Sequence, residues 1–393
     1  MSETRPALDL LDGDSYVDGA YERYAWFRDH EPVAWDAGNE LWGIFRHADV
    51  VEVETRDDVF INSDKVKGGY RPNIPADPAI IGLDNPMHAK RRKLVSRRFT
   101  PRAVASREEG VRAVVTELLD AALAKGRVEV VSELASVLPA KMIGWLLGFP
   151  DDAWPQLRDW SERTIMLGGG PRYFNDDGIA AAGEFATAAI ELYAEKQRCP
   201  ADDTMTTWTT AEVDGVPVSK REVASDCLLL LDGGAETTRT VIARSILELA
   251  ARPDQWQLLR AGADMATATE EFIRWVSPIH NMCRVATRDY DLAGVTIRAG
   301  QQVMLMYPSA NRDPAHFTDP ETFDVTRTPN DHIAFGLGTH FCLGAGLARL
   351  EIRVFFEEFV RRVSSVRLVS KPVEMPNAFV YGLREATVDL TPA

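Results

Sequence analysis

Cysteine is scarce: Cys199, Cys227, Cys283 and Cys342 are the only four. They are scattered and form no CxxC pair, which excludes a disulfide framework and a cysteine-built structural zinc site. Positive charge is short as well. With 44 Lys and Arg against 59 Asp and Glu, the formal net charge is −15, which argues against a sequence-independent grip on nucleic acid or on an anionic membrane surface. No run reaches the ~18 apolar residues of a membrane span. Residues 1–11 (MSETRPALDLL) lack a basic start followed by an apolar stretch, so the expectation is a soluble, cytoplasmic protein with no membrane anchor. Neither an internal repeat nor a Gly/Ser/Pro-rich linker divides the chain.

Material for a core is ample, with 45% hydrophobic and 26% charged residues, so disorder is excluded. The length of 393 residues alone would allow two or three domains at ~150 residues each. Helical periodicity nevertheless recurs from residue 18 to 359, with strand-like pieces such as 40–45 and 295–297, which predicts a mainly α fold with small β-sheets. Ser219 and Glu222 form a capping-box pattern, and no proline follows until Pro253, predicting one helix of roughly 50 Å. Its apolar run at 227–231 gives way to Asp232-Gly233-Gly234-Ala235-Glu236-Thr237-Thr238. Each glycine costs about 1 kcal/mol in a helix and buried acids cost more, so the pattern predicts a functional break. Near residue 84, Asp84-Asn85-Pro86 reads as a cap opening a helix through about Arg98, with His88 and Arg92 on one face. Lys90, Arg91, Lys93, Arg97 and Arg98 make that helix basic, a pattern that equally describes a solvated face.

The densest pattern is Phe335-Gly336-Leu337-Gly338-Thr339-His340-Phe341-Cys342-Leu343-Gly344, followed by an amphipathic segment at 345–363. A sulfur just before a helix feels the macrodipole and free N–H groups, which favour its thiolate. Glycines at 336, 338 and 344 permit a tight turn and a close approach to something large and flat. This segment resembles the haem-binding signature of the cytochrome P450 monooxygenases. Glu271-Phe272-Ile273-Arg274 resembles that family's ExxR pair, and Gly233-Gly234-Ala235-Glu236-Thr237-Thr238 is similar to its oxygen-activation motif. Asn311-Arg312-Asp313-Pro314 and the stretch 134–150 also match in order, so the resemblance covers nearly the whole chain.

The resemblance implies a cytochrome P450 fold in a single haem domain spanning residues 1–393, with a long central helix over haem b and Cys342 as the axial iron ligand. It implies that Thr237 orders the water chain beside the oxygen-activation site while Glu236 relays protons. His88, Arg92, Arg284 and His340 would hold the haem propionates, with Phe335, Gly336 and Gly344 completing the cofactor loop. Glu271 and Arg274 would form a buried structural ion pair joined by Arg327; some branches carry arginine where this chain has Thr322. An acid-alcohol pair of this kind marks members that take electrons and O2, rather than those that run on peroxide.

Substrate contacts implied in the same way are Leu229, Asp232, Gly233, Ile279, His280, Met282, Phe379 and Val380, with Tyr70 and Ile80 on a lid formed by residues 65–83. Asp232 departs from the family, whose members usually carry an apolar residue there; a buried carboxylate needs a partner or a raised pKa. Arg274-Trp275, Asn281-Met282-Cys283-Arg284, Asn85-Pro86-Met87-His88 and the stretch 377–382 resemble the actinobacterial branch that hydroxylates steroid side chains and branched lipids. The expectation is therefore insertion of one oxygen atom from O2 into a C–H bond of a steroid-, terpenoid- or lipid-like small molecule. A second reading is a biosynthetic hydroxylase or epoxidase of a polar or amine-bearing intermediate anchored by Asp232, and a third is a haem protein that binds ligand without turnover. With no flavin or iron–sulfur segment in the sequence, a separate ferredoxin and reductase are implied, the ferredoxin docking on the basic residues 90–98 and on Arg349 or Arg353.

Overall fold

The computed structural model describes residues 4–393; Met1 to Glu3, the start of the stretch read above for a leader, lie outside the described residues. The capping box forms as expected, with the Ser219 N–H donating to the Glu222 carboxylate at 2.9 Å and the Glu222 N–H donating back to the Ser219 hydroxyl. From this cap the central helix runs Lys220–Ala251, 32 residues in all. It ends where Pro253 prevents continuation.

The central helix joins two apolar cores. Cys227, Leu231 and Ala235 on its first half pack among Ile143, Leu157 and Phe185. Val241, Ile246 and Leu249 on its second half pack among Val115, Leu119, Phe272 and Phe355. Gly233 and Gly234 stand at the changeover, and the expected break is absent: the helix is continuous through both. Each glycine has its own reason. A Cβ on Gly234 would lie 3.0 Å from Ile143 Cδ1, so its small size lets the helix Val137–Leu147 pack close. A Cβ on Gly233 would meet nothing within 4 Å, and that position fronts a cavity.

A five-stranded sheet flanks the helices, in the order Val33–Asp36, Leu41–Ile44, Gln302–Met306, Asn281–Ala286, Phe60–Ile61. Gln302 pairs in parallel with Leu41 and antiparallel with Val285. Along Asn281–Ala286 the two-residue period sends Met282 and Arg284 to the cavity while Cys283 is buried in the core with Phe27, Phe45 and Met304. A three-stranded sheet, Val363–Leu368, Thr387–Pro392 and Arg127–Glu129, packs against the second core. The stretch Val130–Leu147 is apolar and long enough to cross a membrane, yet 78% of it is buried inside the fold, as a core helix requires.

The basic helix is shorter than its sequence suggests. It spans Met87–Ser96 and passes into a single 3-10 turn, Arg97–Phe99. Asp84 does not cap it: its carboxylate accepts instead from the N–H groups of Asn62 and Ser63, at 2.9 and 3.0 Å.

Candidate functional site

Gly336 and Gly338 adopt φ of 65° and 62°, backbone that suits glycine. A Cβ on Gly338 would sit 2.8 Å from the Glu54 carbonyl oxygen, so the loop packs hard against the helix His47–Thr55. The Cys342 N–H donates to the Phe335 carbonyl at 2.9 Å, which fixes the cysteine at the edge of a cavity, and the helix Ala345–Arg362 begins directly behind it. Burial pushes the Cys342 thiol up, while the Gly344 and Ala345 N–H groups and the charges of Arg92 and Arg349 pull it down. Burial wins. The N–H groups at the helix start do stabilise the thiolate, as the sequence suggests, but burial outweighs them; a bound metal would displace the proton.

Two arginines and two neutral imidazoles gather at one edge of the cavity. His88, Arg92, Arg284 and His340 all line it, with the two imidazoles 4.2 Å apart. Desolvation and the neighbouring Arg92 hold His88 down to about 4. Burial, then Arg284, His88 and Arg92, lower His340 further. Arg92 also donates to the Phe341 carbonyl at 2.6 Å. One carboxylate faces this group: Glu54, buried, receives Arg284 Nη2 at 2.8 Å and the Tyr307 hydroxyl. A Cβ on Gly344, like one on Gly233, would meet nothing within 4 Å. A sulfur donor, two bare glycines on the cavity wall and a cationic rim suit a flat anionic group, and an iron porphyrin with its propionates meets all three conditions.

On the central helix the Thr237 hydroxyl donates back to the Gly233 carbonyl at 2.7 Å, as its spacing predicts. Behind the cavity, Glu271 and Arg274 are wholly buried and doubly bonded at 2.7 and 2.8 Å. Arg327 joins them as expected, its Nε 3.2 Å from Glu271 Oε2. Asn330 and the Asp324 N–H complete the carboxylate's partners, while Arg274 donates to the carbonyls of Asn311, Pro320 and Thr322. With threonine at position 322, the second cation on Glu271 comes from Arg327.

The sequence profile described as cytochrome P450 matches residues 189–384. A steroid C26-monooxygenase of Mycobacterium tuberculosis is 37% identical, aligned over 99% of this chain and 98% of its own. The chain is a cytochrome P450. Solved cytochromes P450 agree in fold. One from Mycobacterium marinum in complex with pseudoionone has a TM-score of 0.88 at 31% identity, covering 98% of this chain and 100% of its own. Another, from Bacillus megaterium in complex with testosterone, has a TM-score of 0.87 at 28% identity over 96% and 99% of the two chains. This cytochrome P450 is accordingly a haem b monooxygenase, an oxidoreductase that takes O2 and a small-molecule substrate.

Leu229, Asp232, Gly233, Ile279 and Met282 line the P450 cavity, as do Tyr70 and Ile80 of the segment 65–83. Two residues depart from expectation. His280 does not reach the cavity; its ring packs 4.5 Å from that of Tyr16, and burial pushes it down to about 3. Val380 is fully buried, bridged to Ile279, and its neighbour Phe379 takes the place on the wall. Glu236 also turns away, pairing with Arg239, which reaches on to Glu162 at 2.6 Å. Desolvation raises Glu236 to about 7 against the pull of Arg239.

Asp232 is 5% exposed and accepts from the Thr164 hydroxyl at 2.7 Å. Burial raises it to about 7, opposed by Thr164 and by the charge of Arg71. Sequence reasoning missed Glu54, Arg71 and Tyr307, all on the cavity wall. Tyr307 ends the apolar run 303–306, a weak signal, while Glu54 and Arg71 sit in polar stretches that give none without the fold.

Proposed function

We propose that this cytochrome P450 hydroxylates a C–H bond of a hydrophobic small molecule of steroid or terpenoid size, drawing electrons from a separate ferredoxin and reductase. One observation carries the reading: the cavity that ends at Cys342 continues into a wall of Ile80, Ile165, Leu229, Ile279, Met282 and Phe379. The steroid C26-monooxygenase relative and the testosterone-bound neighbour support a substrate of this kind.

Cys342 would ligate the iron, with His88, Arg92, Arg284 and His340 holding the propionates, and the bound haem supplies the oxygen-activating chemistry. Phe335, Gly336 and Gly344 would shape its bed, and the Arg349 guanidinium stacks over the Phe335 ring at 4.6 Å. Thr237 presents its hydroxyl beside the cavity, where it orders water and passes a proton inward. Glu236, raised to about 7 by burial, can hold or release a proton near neutral pH, and Arg239, which also pairs with the partly exposed Glu162, fixes its position. Glu271, Arg274 and Arg327 hold the backbone that leads to the cysteine loop. The alignment with relatives over nearly their full length supports one catalytic unit along the chain.

The test is turnover of steroids with isotopically labelled O2, a ferredoxin, its reductase and a nicotinamide reductant. The expected result is hydroxylated product carrying one labelled oxygen, with Thr237→Ala still consuming reductant but releasing mostly peroxide. A shift of the absorption band on steroid binding with no labelled product would favour the ligand-binding protein without turnover. Full coupling in Thr237→Ala would remove the proton role from that residue.

A further inference from the structure

Arg71 sits on the segment 65–83 and projects into the substrate cavity, yet it takes part in no ion pair among the described residues, and its Nε is buried without a hydrogen-bond partner. Its guanidinium carbon lies 4.9 Å from the centre of the Tyr70 ring. Two carboxyl groups influence it, and both are engaged elsewhere. Asp77 accepts from the Tyr70 hydroxyl and the Ala79 N–H, each at 2.9 Å. Asp232 accepts from Thr164. Tyr70, Asp77 and Asp232 together outweigh the cost of burying it, so the guanidinium stays charged at the cavity wall although no carboxylate forms an ion pair with it among the described residues. A guanidinium in particular offers a planar fork that matches a carboxylate.

We propose that Arg71 is the specificity-determining residue of the cavity: it receives the carboxylate of a substrate whose apolar body lies along Ile80, Ile165, Leu229, Ile279, Met282 and Phe379. This rests on the hydrophobic-substrate reading above and narrows it to acids. A basic amine is the disfavoured occupant, because it would have to lie beside Arg71 to reach Asp232. Asp232 sits five residues before Thr237 on the central helix, about 7.5 Å of helix rise. The anchored end and the reacting end are therefore close, and the oxidised carbon belongs to the carboxylate-proximal part of the molecule or to a chain that folds back.

Asp232 tunes the anchor. Being near 7, it is largely protonated in mildly acidic solution and leaves Arg71 free for the substrate; above that it ionises and competes for the same cation. Other groups share this surrounding. Thr164 bonds to Asp232 and Ser161 lies beside it, both from the helix Trp154–Thr164, Glu236 stands one turn along the central helix with Arg239 as its own partner, and Asp77 and Tyr70 flank Arg71. Glu236 titrates in the same range, but its charge change is shared with Arg239.

The test is an absorption titration of the haem-loaded enzyme with matched pairs: a steroid carrying a side-chain carboxylic acid and its methyl ester, and palmitic acid and its methyl ester. The acids are expected to bind about ten-fold more tightly than the esters. In Arg71→Leu that preference disappears while ester affinity stays within about three-fold; Arg71→Lys keeps part of it. In the wild type acid affinity falls as pH rises from 6 to 8, and Asp232→Asn flattens that slope. Equal binding of acid and ester by the wild type, or equal losses for both in Arg71→Leu, overturns the proposal and leaves the hydrophobic-substrate reading standing. Absence of a band shift with every one of the four compounds overturns both.

Discussion

Asp232 shows what a single buried carboxyl does to the stability of the whole chain. Its pKa is raised from 3.8 to about 7 by burial, so the folded state binds a proton that the unfolded chain has released. Between the two values the native state holds more protons, and stability falls as pH rises. The contribution is intact below about pH 4 and is lost by the time pH passes about 7. Asp232→Asn abolishes this titration. Urea unfolding of wild type and variant is expected to show the variant gaining on the wild type by a few kcal/mol between pH 4.5 and 8, at about 1.4 kcal/mol per pKa unit. A constant difference across that range would mean that Asp232 stays ionised in the fold. The sequence exposed Asp232 as an oddity but not its partner, because Thr164 comes from another helix 68 positions away. Cys342, Thr237, Glu271 and Arg274 were legible for the opposite reason, since each lies in a local pattern whose spacing is itself the geometry.

At the scale of elements, the central helix separates two demands that its sequence presents as one. The glycine pair looks like a break, but the helix is unbroken: Gly234 admits the neighbouring helix and Gly233 leaves room in the cavity. Gly234→Ala is expected to cost about 1–3 kcal/mol through overpacking against Ile143, despite the gain in helix propensity. Ile143→Val removes the Cδ1 that the new methyl would meet, so the double variant should recover more than half of that loss in a urea-unfolding double-mutant cycle. Additive losses would place the strain elsewhere. Helix ends marked by caps and prolines were readable, as at Ser219 and Pro253. The strand Gln302–Met306 was not, because all five residues are buried and no alternation survives. The start of the basic helix was misjudged because the Asp84 carboxylate has a better use, tying down the N–H groups of Asn62 and Ser63. His280 and Val380 were misplaced because side-chain direction at a strand or turn changes with every residue.

For the molecule as a whole, charge decides how it meets an electron donor. Most of the cations expected to greet a ferredoxin are already used: Arg91 is buried between Glu222 and Asp226, Arg349 grips Glu270, and Arg353 holds Glu108 and Glu357. Lys93 stays exposed, Arg97 bonds only the neutral Thr207 hydroxyl, and Phe341, next to the cysteine, is 39% exposed. An acidic electron donor, if that is the partner, would find in Lys93, Arg97 and Phe341 the less committed cations beside an exposed apolar side chain. Reversing Lys93 and Arg97 to Glu should slow reduction by an acidic ferredoxin about ten-fold at low salt, the deficit shrinking as salt is added. Arg91→Glu should instead lower the urea midpoint, since it buries a third carboxylate beside two others. Unchanged salt dependence in the Lys93/Arg97 variant would move the donor to another face. The helix Trp154–Thr164 adds a consequence for traffic through the cavity. It is latched to the central helix twice, Thr164 to Asp232 and Glu162 to Arg239. A ligand leaving beneath that helix would need both latches undone, so along that route the dwell time of product would be set by two acids, a hydroxyl and an arginine that never touch the cysteine.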